Sequence, residues 1–134
     1  MKSTKEVLIE ARELISDPEH WTQGAFAEHQ DYDDDEIYFA ETDSNAPDAC
    51  RWCASGAIAK IEDTDSPLWQ DLEPLAAELG WRLADQDNPY LGSQPDDEWA
   101  QERAIDVIAR FNDNPNTTHA DVLALFDRAI AGLS

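Results

Sequence analysis

Positive charge is scarce in this chain. Nine bases face thirty acids, for a formal charge of −21, and only three of the nine are lysines. Neutralising phosphates by counterion release needs Lys and Arg, so direct binding to nucleic acid or to an anionic membrane surface is disfavoured. Long apolar runs are missing too: nothing approaches the ~18 residues of a membrane helix. The N-terminus MKSTKEVLIEARELISD breaks its apolar positions with charges and holds no signal-peptide core, so a cytoplasmic protein is expected. Cysteine is limited to Cys50 and Cys53, which that compartment keeps reduced. No Gly-rich phosphate loop, G-x-S-x-G or H-E-x-x-H string occurs, which removes familiar signatures of nucleotide binding, serine hydrolysis and zinc proteolysis.

What is present is ample apolar material. With 134 residues, 42% of them hydrophobic and five of them tryptophan, the chain can fill one core without staples. The acids are spread along it: between Arg12 and Arg51 there are twelve acids and no base. Two explanations compete for that charge. One is a salt-adapted surface, consistent with eighteen Asp against twelve Glu. The other is a basic protein partner, or mimicry of DNA. A globule of this size is about 36 Å across. B-DNA of that length carries about 21 phosphate charges, at one per ~1.7 Å. The totals agree, but DNA sets its charges along a rod, and composition does not reveal arrangement.

Helical periodicity recurs along the chain. Ser3-x-x-Glu6 has the form of a capping box ahead of a stripe of Val7, Leu8, Ala11, Leu14 and Ile15, and Asp17-Pro18 ends it. HWTQGAFAEH reads as a turn leading into a brief helix. DYDDDEIYFAETD crowds like charges that would repel at one-turn helical spacing. Ile37, Tyr38 and Phe39 have no evident partner strand, so the segment reads as a long acidic loop with an aromatic anchor. Asp48 is placed to cap a helix reaching about Glu62. Ser66-Pro67 opens another, with Leu68, Leu72, Leu75, Ala76 and Leu79 on its buried face and Gly80 as its stop. After a turn-rich connector over residues 85–97, periodicity returns from Trp99 to Phe111, and Thr118-x-x-Asp121 caps a last helix. The expectation is a mainly α, all-α-type single compact domain over 1–134, with about five helices and little or no sheet.

Chemistry is sparse on this frame. On a helix, Cys50, Cys53, Ala54, Ala57, Ile58 and Ile61 would share one apolar stripe, which suits buried cysteines better than a redox or metal pair. A zinc site would need His20 and His29, whose eight-residue separation is wider than the usual His spacing. Asp31, Asp33 and Asp35 imitate the start of a calcium loop, but Glu36 stands where Gly is required and Thr42 where Glu is required. No metal and no cofactor is assigned. Asp31, Asp33, Asp34, Asp35 and Glu36 are therefore the expected acidic face, a solvated patch open to a basic partner. The five tryptophans are expected as core or rim anchors, and His119 as a solvent-facing residue early in its helix.

Three motifs stand out: Trp21-x-Gln23-Gly24, then Trp52-Cys53-x-x-Gly56-Ala57, then Phe111-Asn112-Asp113 followed by Thr118 and Val122-Leu123-x-x-Phe126-Asp127-x-Ala129-Ile130. In these the chain resembles a family of small, functionally uncharacterised proteins of bacteria and bacteriophages, from Val7 to about Ala131. Cys53 belongs to that pattern and Cys50 does not. The resemblance implies no activity; a phage association adds weight to a host-directed inhibitor. Asn112 suits a left-handed helix end and Thr118 a helix cap. Trp21, Gln23, Trp52, Cys53, Asn112, Asp113 and His119 are the candidate binding residues, because core packing alone does not require such polar side chains. Two functions follow: a non-enzymatic acidic interaction protein, or a small ligand-binding or enzymatic domain built around Gln23, Cys53, Asp113 and His119.

Overall fold

The computed structural model describes residues 2–81 and 97–133. Five helices are seen among them: α1 (Thr4–Leu14), α2 (Ala54–Glu62), α3 (Trp69–Glu78), α4 (Asp97–Asp113) and α5 (His119–Ala131). A 3-10 turn (Pro18–His20) follows α1, and three strands, β1 (Ala27–Asp33), β2 (Glu36–Thr42) and β3 (Ala49–Trp52), lie between it and α2. The strands form one antiparallel sheet in the order β2-β1-β3. The fold is α+β, which corrects the expectation of an all-α chain with little or no sheet. The connector expected over residues 85–97 falls outside the described residues up to Asp97.

The acidic segment is the source of the correction. It is a hairpin and not a loop, paired from Ala27↔Thr42 to Asp33↔Glu36. Its two turn residues, Asp34 and Asp35, have φ of 46° and 72°. Two left-handed residues make the primed turn whose twist suits a hairpin, and Asp is one of the few side chains that tolerates that region. Like-charge crowding does exclude a helix here, but a hairpin turns successive acids to opposite faces and leaves the tip in water. The partner strand for Ile37–Phe39 lies just across the turn, signalled by Asp-Asp in place of the familiar Asn-Gly. HWTQGAFAEH likewise forms no helix: it leaves the 3-10 turn and enters β1 at Ala27.

The second correction concerns the cysteine segment. Ala49–Trp52 pairs with β1 as an edge strand, and α2 starts only at Ala54, with Cys53 as its N-cap. Cys50 is thus on a strand, and the single helical stripe joining it to Cys53 does not exist.

Two expected helix starts move. α2 opens behind Cys53 and not Asp48, and α3 opens at Trp69 behind Leu68 and not at Ser66-Pro67. The remaining helical signals hold. Ser3 Oγ accepts from Glu6 N, and Thr118 and Asp121 form a reciprocal capping box. α3 ends at Gly80 (φ 89°): Gly80 N donates to Ala77 O and Trp81 N to Ala76 O, the paired bonds of a Schellman stop. Pro74 within α3 cannot donate to Gln70 O, and that carbonyl accepts instead from Thr4 Oγ1 of α1 (3.4 Å). The apolar faces meet in one core containing Leu8, Ile58, Leu72, Ile108, Leu125 and Phe126. Trp69 meets Trp81 edge to face beside it, with centroids 5.8 Å apart, and Trp99 lies tilted against Trp81 at 6.3 Å. Among the described residues no helix is long and apolar enough to cross a membrane.

Candidate functional site

The three motifs meet at Asn112. This residue is fully buried in the last turn of α4, not at a left-handed helix end as its type suggests. Its Oδ1 accepts from Trp21 Nε1 (2.8 Å) and from Ala54 N (3.2 Å), the first residue of α2. Its Nδ2 donates to Thr22 O (3.0 Å) and Asp113 Oδ1 (2.9 Å). Gln23 Nε2 donates to Asn112 O (2.8 Å) and Asn114 O (3.1 Å), closing the carbonyl end of α4. Gly24, at φ 87°, turns its N–H onto Asp113 Oδ1 (2.8 Å). One amide side chain therefore ties the 21–24 turn to the end of α4 and the start of α2, and each of its polar atoms has a partner.

The second motif locks the same junction from the sheet side. Trp52 Nε1 donates to Ser44 O (2.9 Å), and Trp52 O accepts from Thr22 N (3.1 Å). Cys53 N donates to Phe26 O (3.1 Å), and Cys53 Sγ accepts from Gly56 N (3.3 Å) as the helix cap. Gly56 is there because a Cβ would collide with the Phe26 carbonyl. Burial pushes the Cys53 thiol up to about 11 despite the Gly56 N–H, and the Asp113 charge adds to the rise, so the thiol is neutral at pH 7. Cys50 Sγ, half-buried, donates instead to Glu28 O (3.6 Å). His119 is drawn away from solvent: its Nε2 lies 2.6 Å from Ile15 O and its ring 5.7 Å from that of Trp21.

Six of the seven candidate residues are thus gathered around one junction, with Cys53 and Asp113 reaching a common cleft. His119 bears on the group through the outer side of Trp21. The cleft has a volume of about 360 Å³ and lies between the Gly24–Phe26 turn, the end of β2 and α4. Its walls include Glu41, Asp43, Ser44 and Asp65, none of which sequence reasoning singled out; β2 ends here only once the hairpin is known. Among the described residues no three His, Cys, Asp or Glu side chains are placed to share one metal ion.

The expected acidic face occupies the outer half of the β1–β2 hairpin. Asp33, Asp34, Asp35 and Glu36 are exposed, and Asp31 is half-buried. Asp31 accepts from Tyr32 N (2.8 Å) and Tyr38 Oη (3.1 Å), which holds its carboxyl below the usual range. The aromatic anchor expected in this segment is exposed rather than docked: Tyr32, not singled out from sequence, pairs across the strands with Ile37, the two being 67% and 59% exposed, and Tyr38 stands on the opposite face beside Asp31. At the base of the same face, Arg51 of β3 lies over the Phe39 ring, 3.4 Å from its centroid.

A further carboxyl pair joins α2 to α3. Glu62 accepts from Leu68 N (3.0 Å) and Thr64 Oγ1 (3.0 Å), capping α3, whose N-cap Leu68 has no side-chain acceptor of its own. Asp71, 2% exposed, accepts from Thr4 Oγ1 (2.7 Å). Burial, then the hydrogen bond with Asp71, pushes the half-buried Glu62 carboxyl up to about 8.

No curated protein and no solved structure matches the chain. A family model does, over residues 1–132, and the protein belongs to that family, a family of unknown function (DUF6197).

Proposed function

We propose that the protein is a cytoplasmic, non-enzymatic interaction protein that presents the outer half of its β1–β2 hairpin to a basic protein. One observation carries the reading: Tyr32 and Ile37 are exposed together on one face of the hairpin and Tyr38 on the other, close to Asp33, Asp34, Asp35 and Glu36. Salt adaptation accounts for the acids but gives no reason to hold two tyrosines and an isoleucine in water. Aromatic anchors ringed by one sign of charge are what a partner of opposite sign needs: the rings contribute contact area, and the charges speed encounter and reject acidic competitors. Neither β1 nor β2 contains Lys or Arg, so nothing on these strands repels such a partner. β2 is also a sheet edge, so its outer backbone N–H and C=O groups have no strand partner among the described residues. The Asn112 junction supports the rigid base from which the hairpin projects.

DNA mimicry is the narrower form of this reading, in which the partner is a DNA-binding protein and duplex DNA competes for it. The test is affinity capture from host lysate with the wild type, with Tyr32→Ser/Ile37→Ser, and with Asp33→Asn/Asp34→Asn/Asp35→Asn. A basic protein retained by the wild type, lost with both variants and released by rising salt is the expected result. Displacement by duplex DNA would select mimicry. A captured set indifferent to both hairpin variants would end the proposal.

A further inference from the structure

We propose that β2 is a receiving edge for an extended basic segment, one that alternates Lys or Arg with apolar residues and adds to the sheet as a fourth strand. The inference rests on the reading of the hairpin as the surface for a basic partner, and it names the form of that partner's contact.

The two edges of the sheet are finished differently. β3 is four residues long, and its pairing with β1 shifts register between Glu28 and His29. Its end is also covered: Trp21 bridges Trp52, and Thr22 N donates to Trp52 O (3.1 Å). β2 has none of these features. It runs for seven residues in unbroken register with β1, contains no Lys, Arg, Pro or Gly, and meets no further strand among the described residues. Shortness, bulges, lysine and proline are the usual guards of an edge, and an edge without them is open to another chain. Its own charges, Glu36 and Glu41, are both acidic and so deter only acidic chains. In a two-residue hairpin the pair flanking the turn, here Asp33 and Glu36, exchanges hydrogen bonds, and such pairs alternate along the ladder. The backbone groups of Ile37, Phe39 and Glu41 therefore point outward, away from β1.

The side chains specify the occupant. Strand alternation puts Tyr32, Ile37 and Phe39 on one face, with Glu41 at its inner end, and Asp31, Asp33, Glu36 and Tyr38 on the other. Arg51 lies over the Phe39 ring, whereas Tyr32 and Ile37 stand in water. A strand laid beside β2 would meet the apolar face with every second side chain and the acidic face with those between. Apolar residues against Ile37 and Phe39, and Lys or Arg against Glu36 and Tyr38, satisfy both faces at once. Main-chain bonds give such a strand its hold, and the alternate side chains give it selectivity. A second copy of the chain fits badly, since it brings acids to the acidic face and a further charge of −21.

The test is an NMR titration of isotopically labelled protein at constant ionic strength with three blocked peptides as long as β2. One alternates lysine and valine, one holds the same residues in separate blocks, and one alternates glutamate and valine. The expected result is saturable binding of the first, roughly tenfold tighter than the second, and no binding of the third. Hydrogen exchange at the Ile37, Phe39 and Glu41 amides should slow on binding, which charge attraction alone would not cause. Ile37→Pro removes one outward N–H without touching the bonds to β1, and should weaken the first peptide about fivefold or more. Unchanged amide signals at Trp52 and Asn112 would show that this variant keeps its fold. Equal affinity for the two lysine peptides, or binding that leaves the three amides unprotected, would overturn the added strand while the basic-partner reading stands. Equal binding of the glutamate peptide with those amides protected would overturn the basic character of the segment, and that reading with it. Dimerisation of the free protein, abolished by Ile37→Pro, would assign the edge to a second copy and likewise overturn the proposal.

Discussion

The junction around Asn112 and the outer half of the hairpin are both built from polar and aromatic residues, with opposite outcomes. At the junction, every polar atom of Asn112 is paired inside the protein, and Trp21 and Gln23 give their side-chain donors to it or to its carbonyl. On the hairpin, the tyrosines and acids face water. Trp21, Gln23 and Asn112 are therefore engaged in holding three elements together. The side chains exposed on the hairpin lie outside the three motifs of the sequence. A buried polar residue can be architectural when its partners are backbone groups that would otherwise be stranded.

The sharpest way to break that comparison is Asn112→Ala. It strands Trp21 Nε1–H, Ala54 N–H and the Thr22 carbonyl together, and should cost about 3–5 kcal/mol of stability by chemical denaturation. Tyr32→Ser, at an exposed site, should change stability by less than ~0.5 kcal/mol. If the two costs were similar, the division into architectural and free polar residues would fail.

The α2–α3 junction provides the next largest effect, and its sign is fixed by proton linkage. Glu62 is pushed up to about 8 in the folded state, whereas an unfolded glutamate titrates near 4.5. Between those values the native protein holds a proton that the unfolded chain has lost. Stability therefore declines as pH rises from about 4.5 towards 8 and levels off above it. Glu62→Gln mimics the protonated acid, keeping an acceptor for Leu68 N and a donor towards Asp71 without the charge. It should stabilise the protein at pH 8 by on the order of 1–3 kcal/mol, a figure reduced for solvent screening of a half-exposed group, and match wild type near pH 5. Parallel melting curves for the two proteins across that range would refute the carboxyl pairing.

Much of the helical frame was legible because helices announce themselves locally. The Thr118-x-x-Asp121 box, the Gly80 stop and the 3.6-residue stripes each lie within a few neighbouring positions. The sheet was not, because its signals are split: β3 is four residues long, and it pairs with β1 at positions as far apart as Ala27 and Trp52. Trp52-Cys53 reads equally well as the end of a strand or the first turn of a helix until that pairing is known. The candidate residues were partly legible as a polar group awaiting partners, but that Gln23, Asn112 and His119 are engaged by backbone groups 58 to 104 positions away is a tertiary fact. The cleft was illegible for the same reason, since Glu41, Asp65 and Asp113 converge only through the hairpin and the packing of α4.

Cys53 sharpens the comparison at a single atom. As part of an apolar helical stripe it would tolerate Ala and resent Ser. As the N-cap of α2, with Sγ accepting from Gly56 N, it should do the reverse. Serine is among the best N-cap residues, so Cys53→Ser should cost less than ~1 kcal/mol, whereas Cys53→Ala, which cannot accept, should cost about 1–2 kcal/mol. Thermal unfolding of the two variants side by side decides between the two descriptions, and a larger loss in the serine variant would restore the stripe.

The smallest effect is expected at the hairpin tip, where it tests whether the acids there serve the fold. Asp34 and Asp35 both carry positive φ, a conformation that costs most residues and that Asp only tolerates. Asn-Gly is the favoured pair for this turn, so Asp34→Asn/Asp35→Gly should relax the backbone and also remove two charges from a chain of −21. Both changes act in the same direction, and the melting temperature should rise by roughly 2–5 °C. Salt separates the two contributions. Raising NaCl to ~1 M shortens the screening length to about 3 Å, which should raise the melting temperature of wild type by relieving its self-repulsion. The part of the difference between variant and wild type that survives at high salt is then the backbone share. A turn chosen for folding alone would show no gain at all from Asn-Gly. A clear gain means that the aspartates are kept at the tip at some cost in stability, as a surface meant for a basic partner would require.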